Sequence, residues 1–82
     1  MAKDKHYIYV LECSDGSLYT GYTTNVERRL EEHNSGQGAK YTRGRLPVKL
    51  RYQEEFKNRS LAQQREYQIK QLPRSKKEEL IN

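Results

Sequence analysis

The sequence predicts an α+β fold with elements in the order β-β-α-β-α-α, and three observations carry that expectation. Residues 6–13 are rich in Tyr, Ile and Val and lead into an Asp15-Gly16 turn, after which 17–22 return in the same style; this is the pattern of a β-hairpin. Val48, Leu50 and Tyr52 alternate with Lys49, Arg51 and Gln53, as a half-buried strand should. Helical spacing of apolar residues follows the hairpin and again follows the third strand.

Taken in order, residues 1–5 read as a flexible polar tail to a single domain spanning 1–82. Side chains two apart in a strand share a face, so Tyr7, Tyr9 and Leu11 point one way and Ile8 and Val10 the other, toward a helix-covered core. Asn25 is a good helix N-cap. Val26, Leu30 and His33 then fall at helical spacing, and Ser35-Gly36 stops the helix. Residues 36–47 read as a Gly-rich basic loop closing at Pro47. Ser60 with Gln63 forms a capping-box pattern for the next helix, whose Ala62, Ile69 and Leu72 face the core. Pro73 ends that helix, and Ser75 with Glu78 repeats the capping pattern for a short last one.

The core available to 82 residues is thin, since so short a chain buries only about 60% of its unfolded surface. Seven tyrosines supplement it, each with a large apolar ring and a polar tip. The formal charge is +5, and it is unevenly spread: Lys40, Arg43, Arg45, Lys49 and Arg51 occur with no acid among them, and Arg74, Lys76 and Lys77 cluster later. Such local excess favours a polyanion through phosphate contacts and counterion release. Cys13 is the only cysteine, which excludes an internal disulfide and a cysteine-based zinc site. A free thiol, no apolar run of membrane-spanning length and no signal-peptide core lead to the expectation of a cytoplasmic protein without membrane contact.

Four chemically capable side chains are placed to converge. The hairpin brings Tyr19 beside Tyr9, and the helix after it sets Arg29 and His33 one turn apart on one side. A phenol can pass protons and orient water; an arginine can hold phosphate. Tyr7 and Tyr52 read as packing residues, His6 as ordinary, and Arg28 as a surface charge about 100° around the helix from Arg29.

These residues also carry a resemblance. Tyr7-Ile8-Tyr9 and Tyr19-Thr20-Gly21, followed by Arg29, His33 and Glu66 within Arg65-Glu66-Tyr67, resemble the ordered motifs of the GIY-YIG endonuclease superfamily. The likeness covers nearly the whole chain and is greatest to small stand-alone bacterial members of the UPF0213 type and to the Slx1-type nuclease domain. Tyr7 stands at the first motif's usual glycine and Thr20 at the second's isoleucine, both structural positions. Tyr22 stands where several relatives carry lysine, which speaks against a lysine-assisted mechanism.

The resemblance implies a three-stranded antiparallel sheet flanked by helices, and hydrolysis of DNA phosphodiester bonds with one Mg2+ or Mn2+ ion. It assigns Tyr9 to deprotonating or orienting the attacking water, Tyr19 to positioning water or phosphate, and Arg29 to stabilising the pentavalent phosphate. His33 would accept the Tyr9 proton, Glu66 would hold the metal, and Gly21 would allow close backbone approach. A tyrosine of ordinary pKa near 10 needs help to act as a base; Arg29 and His33 are expected to supply it. Glu66 shares a helical face with Ala62 and Ile69 and is expected to face inward, where an acid needs a cationic partner.

Lys40, Tyr41, Arg43 and Arg45 are expected to contact nucleic acid. The leading function is therefore a metal-dependent, structure-selective DNA endonuclease, with RNA left open as a substrate and a protein partner supplying targeting. The alternative is a nucleic-acid-binding module on the same fold with little or no catalysis, which could stack bases on exposed tyrosines. A protein-interaction adaptor is a third reading.

Overall fold

The computed structural model of the chain describes residues 5–82. Apart from Lys5, the expected polar tail lies outside the described residues. The elements are β1 (His6–Glu12), β2 (Leu18–Thr23), α1 (Val26–Asn34), α2 (Lys40–Arg43), β3 (Lys49–Phe56), α3 (Arg59–Gln71) and α4 (Arg74–Ile81). They form the expected α+β fold around a three-stranded antiparallel sheet of order β2-β1-β3. The predicted order β-β-α-β-α-α holds, with one addition: the segment expected as loop contains the four-residue helix α2.

The hairpin forms where Asp15-Gly16 predicts it. Gly16 takes φ +84°, a conformation costly for any side-chain-bearing residue, and Asp15 Oδ1 accepts from the Ser17 backbone N–H at 3.0 Å. With β1 central, its two faces make two cores. Ile8 and Val10 pack with Ala62 and Ile69 of α3, while Tyr9, Leu11, Cys13 and Val48 form the cluster on the opposite face. The period-two assignment of β1 is thus observed.

β3 departs from its expected alternation. Tyr52 lies opposite Val10 but Leu50 lies opposite Leu11, so Arg51 is an extra residue and the strand is bulged. The bulge swaps faces. Val48 is buried with Tyr9 and Leu11, Tyr52 packs on the Ile8 side, and Leu50 is left 36% exposed. Arg51 pairs with Glu12 on the adjacent strand.

Helix ends follow local side-chain chemistry. Asn25 caps α1 as expected, its Oδ1 accepting from Arg28 N at 3.0 Å, and Gly36 closes the far end at φ +86°. Both expected capping boxes are corrected. Asn58, two residues before Ser60, caps α3 by accepting from Leu61 N at 2.9 Å, and an Asn in extended conformation takes precedence over a serine already inside the helix. Pro73 occupies the cap of α4, where no side chain bonds the first turn, so Ser75 lies within the helix. Asn34 joins α1 to the start of β3 by bonding both the N–H and the C=O of Val48, at 2.8 and 3.1 Å. Arg74 donates to the Gly16 carbonyl at 2.7 Å, fastening α4 to the hairpin turn.

Candidate active site

β1 aims Tyr9 away from the α3 side and buries it to 2% exposure. Its cross-strand partner on β2 is Gly21, and a β-carbon there would sit 2.5 Å from the Tyr9 hydroxyl and 2.6 Å from Cζ. Gly21 therefore clears the path by which a tyrosine of the central strand reaches toward the edge strand. The need is for space, not for unusual backbone angles.

The Tyr9 hydroxyl lies 2.9 Å from His33 Nε2. His33 is fully buried, and its Nδ1 lies 2.8 Å from Thr42 Oγ1. Thr42 in turn donates its hydroxyl to the Ala39 carbonyl at 3.0 Å, a group that can only accept. The Thr42 oxygen is then left to accept from Nδ1–H at the short distance, in preference to the 3.4 Å approach of the Ala39 backbone N–H to the same nitrogen, and this leaves Nε2 bare to accept the Tyr9 proton. The tautomer is assigned from this network. Thr42 was not singled out in the sequence, and neither was Gly38, where a β-carbon would collide with the His33 ring.

Burial decides the acid–base character of the pair. It pushes the Tyr9 phenol up to about 12; the Arg29 guanidinium beside it opposes the shift, and Tyr19 and Glu66 reinforce it. Arg29 does favour ionisation of Tyr9, as expected of a neighbouring cation, but desolvation outweighs it. Burial also holds His33 below the ordinary imidazole value, with Arg29 acting the same way and Glu32 in opposition. Near pH 7 both groups are neutral: a phenol donating to an imidazole ready to take its proton.

His33 also links folding to pH. The unfolded chain binds its proton more readily than the folded one, so stability rises with pH through this window. The contribution is complete above about 6.5, the unfolded value, and is lost as pH falls toward the depressed folded value. Thermal melts should show Tm dropping as pH falls below about 6.5 in the wild type, with that step missing in His33→Gln. The lowered Asp15 and Glu32 carboxyls act in a more acidic window.

Tyr19 completes an aromatic triangle, with ring centroids 6.3 Å from Tyr9 and 5.4 Å from His33. Tyr41 stacks on it at 5.9 Å, and the Arg45 guanidinium lies over the Tyr41 ring, 4.1 Å from its centroid. Arg45 is also bonded to Asp15 at 3.0 Å and to the Tyr41 carbonyl at 2.7 Å. Its charge is engaged within the chain, whereas Lys40 and Arg43 are exposed on α2. Arg29 is about a third exposed and oriented by Glu32 at 2.9 Å.

Glu66 approaches from α3, on the other face of the sheet. It is partly shielded rather than enclosed, its side chain 19% exposed and paired with Lys70 at 3.1 Å, and its charge is felt at Tyr9. The expected cationic partner is thus a lysine one turn along the same helix, and it stands half in solvent. The structure brings Tyr9, Tyr19, Arg29 and His33 together on one side of the β2 edge, with Glu66 within electrostatic reach. A larger groove of about 890 Å³, on the outer face of α3 along Arg59, Gln63 and Tyr67, contains none of these groups.

Known proteins resemble this chain over nearly its whole length. The family model described as the GIY-YIG catalytic domain matches residues 5–79. The chain is 63% identical over 81 residues to a UPF0213 protein of Natronomonas pharaonis, covering 99% of this chain and 94% of that protein. It is 60% identical over 81 residues to a UPF0213 protein of Bacillus cereus, covering 99% of this chain and 84% of the other. The solution structure of a UPF0213 protein from Bacillus halodurans superposes with a TM-score of 0.62 at 55% identity, covering 94% of this chain and 82% of that one.

Proposed function

The chain belongs to the GIY-YIG catalytic-domain family, a membership that suggests nuclease activity and a DNA substrate, and from that premise we propose a divalent-metal-assisted endonuclease that cuts DNA phosphodiester bonds. The observation that carries the proposal is the neutral Tyr9–His33 pair, 2.9 Å apart, its phenol seated in the space that Gly21 leaves by having no side chain. In the proposed step a water attacks phosphorus and gives its proton to the Tyr9 oxygen as the phenol's own proton moves to His33 Nε2. The imidazole becomes imidazolium, the phosphorus–oxygen bond to the leaving group breaks, and that oxygen takes a proton from solvent. Tyr9 thus never has to persist as a phenolate. Arg29 faces the negative charge that grows on the phosphoryl oxygens, and Tyr19 orients water or phosphate.

The donor set suits one Mg2+ or Mn2+ ion. Among the described residues no group of three His, Cys, Asp or Glu side chains is placed to hold a metal, whereas a single partly exposed carboxylate, Glu66, suits an ion that keeps water and takes phosphate oxygens. Such an ion supplies charge stabilisation at the phosphoryl oxygens when bound. Glu66→Gln preserves size and leaves Lys70 in place. It should abolish the Mn2+-induced broadening of NMR signals around Tyr19 and Glu66 and stop cleavage, with the melting temperature nearly unchanged. An unfolded variant, together with no metal response in the wild type, would make Glu66 a structural partner of Lys70 only.

Selectivity for branched or flapped DNA belongs to the proposal, as does targeting by a protein partner. The deciding experiment incubates the protein with branched, flapped, single-stranded and duplex DNA, with and without each metal. Metal-dependent cutting, greatest on a branched or flapped form, is expected. No cutting of any form, with binding that still weakens steeply as salt rises, would leave the binding-module reading in its place.

A further inference from the structure

α4 presents a charge where an apolar residue would be expected. Leu80 and Ile81 of this helix pack against the Ile8 core, and Lys77, three and four residues earlier, lies on the same inward side and is half-buried. Its helical neighbours are neutralised: Arg74 pairs with Glu78 at 2.8 Å and Lys76 with Glu79 at 3.7 Å. Lys77 makes no ion pair among the described residues. The butylene stem of such a lysine can lie along apolar surface with its ammonium toward solvent, and Lys77 lines a groove of about 250 Å³ together with Leu18, Tyr19, Thr20, Tyr41 and Lys70.

That groove has two cations and no carboxylate in its lining. Tyr19 forms one wall and meets Tyr9 and His33 on its far side. Lys70 forms another wall and is the partner of Glu66. The groove is therefore joined to the candidate active site along the open edge of β2, through both tyrosine and lysine. The Tyr41 ring is already engaged by Tyr19 and by the Arg45 guanidinium. An anion fits this lining better than a stacked base.

We infer that this groove is a second phosphate subsite, in which Lys77 holds the phosphate adjacent to the scissile one on the cut strand. The inference rests on the nuclease reading and adds a position to it. Lys70, shared between Glu66 and the groove, is oriented toward the same strand. Lys77 thereby fixes the register of the strand against Tyr9, so a displaced neighbouring phosphate would misplace the reacting one.

The test is a double-mutant cycle between one protein charge and one DNA charge. A cut strand is prepared with a single neutral methylphosphonate at each position in turn, and binding is measured by fluorescence anisotropy without divalent metal. Wild type should bind several-fold more weakly when the phosphate next to the cleavage position is neutral. Lys77→Gln should weaken binding of the unmodified strand by a similar factor, lower the log–log salt slope by about 0.7 for single-stranded DNA, and lose nothing more at that one position. Every other position should still cost Lys77→Gln what it costs wild type. Lys77→Arg, which keeps the charge, should restore the wild-type pattern and controls for folding. Losses that multiply at every position, or coupling to the scissile phosphate itself, would overturn the subsite while leaving cleavage intact. Failure of wild type to bind any unmodified strand would bring down the nuclease reading and the subsite together.

Discussion

Tyr9→Phe should lower single-turnover cleavage by roughly 10²–10⁴ while leaving DNA affinity and fold nearly unchanged. The substitution removes one oxygen from a ring that is 2% exposed and packed with Leu11, Cys13 and Val48, so the ring's own packing survives. The lost hydroxyl lies beside the Arg29 guanidinium and bonds His33 Nε2, an acceptor that the substitution leaves without its donor. Leaving a buried acceptor unsatisfied costs about 1–3 kcal/mol, a stability loss that a melt can register and that saturating enzyme removes from the rate comparison. What remains is the loss of the group between water and imidazole. A rate equal to wild type would mean that the proton leaves by another route.

Arg29→Ala should lower the rate by roughly 10²–10³ and should also move its pH dependence. The guanidinium opposes growing phosphate charge in the proposed transition state, and it lowers the pKa values of both Tyr9 and His33 in the resting site. Removing it lets His33 take up a proton at higher pH, so the acid limb of the rate should move toward neutrality. The exposed neighbour Arg28, 3.7 Å from Glu32, has no such role and provides the control. If Arg28→Ala and Arg29→Ala lose equal activity with unshifted limbs, the arginine acts only as part of a general positive surface.

Much of this arrangement could be read along the chain because its rules are local. Alternation in a strand sends Ile8 and Val10 to α3 and Tyr9 to the other face, and a four-residue helical step aligns Arg29 with His33. Asp15-Gly16 and Asn25 act within a few residues of themselves. The parts that escaped reading depend on meetings between distant segments. Thr42 orients His33 across nine residues, and Arg45 reaches Asp15 across thirty, a pairing that braces the hairpin turn. The Arg51 bulge arises from pairing with β1, so alternation in β3 alone could not reveal it. The pKa of Tyr9 depends on burial by several elements at once, which is why a nearby arginine proved an unreliable guide to it. Lys70 is different: it lies at i+4 from Glu66, a pairing visible in the sequence and overlooked there.

The central claim, a neutral Tyr9 passing its proton to a neutral His33, is tested most directly by the pH dependence of single-turnover cleavage of a branched DNA at saturating wild-type enzyme and metal. Because His33 must be unprotonated to accept, the rate should fall as pH drops through a value below the ordinary imidazole figure of about 6.5. With the phenol held up to about 12, the rate should then stay level from pH 7 through 9. A rate climbing tenfold per pH unit across that range, or one indifferent to pH below 6.5, would contradict the account.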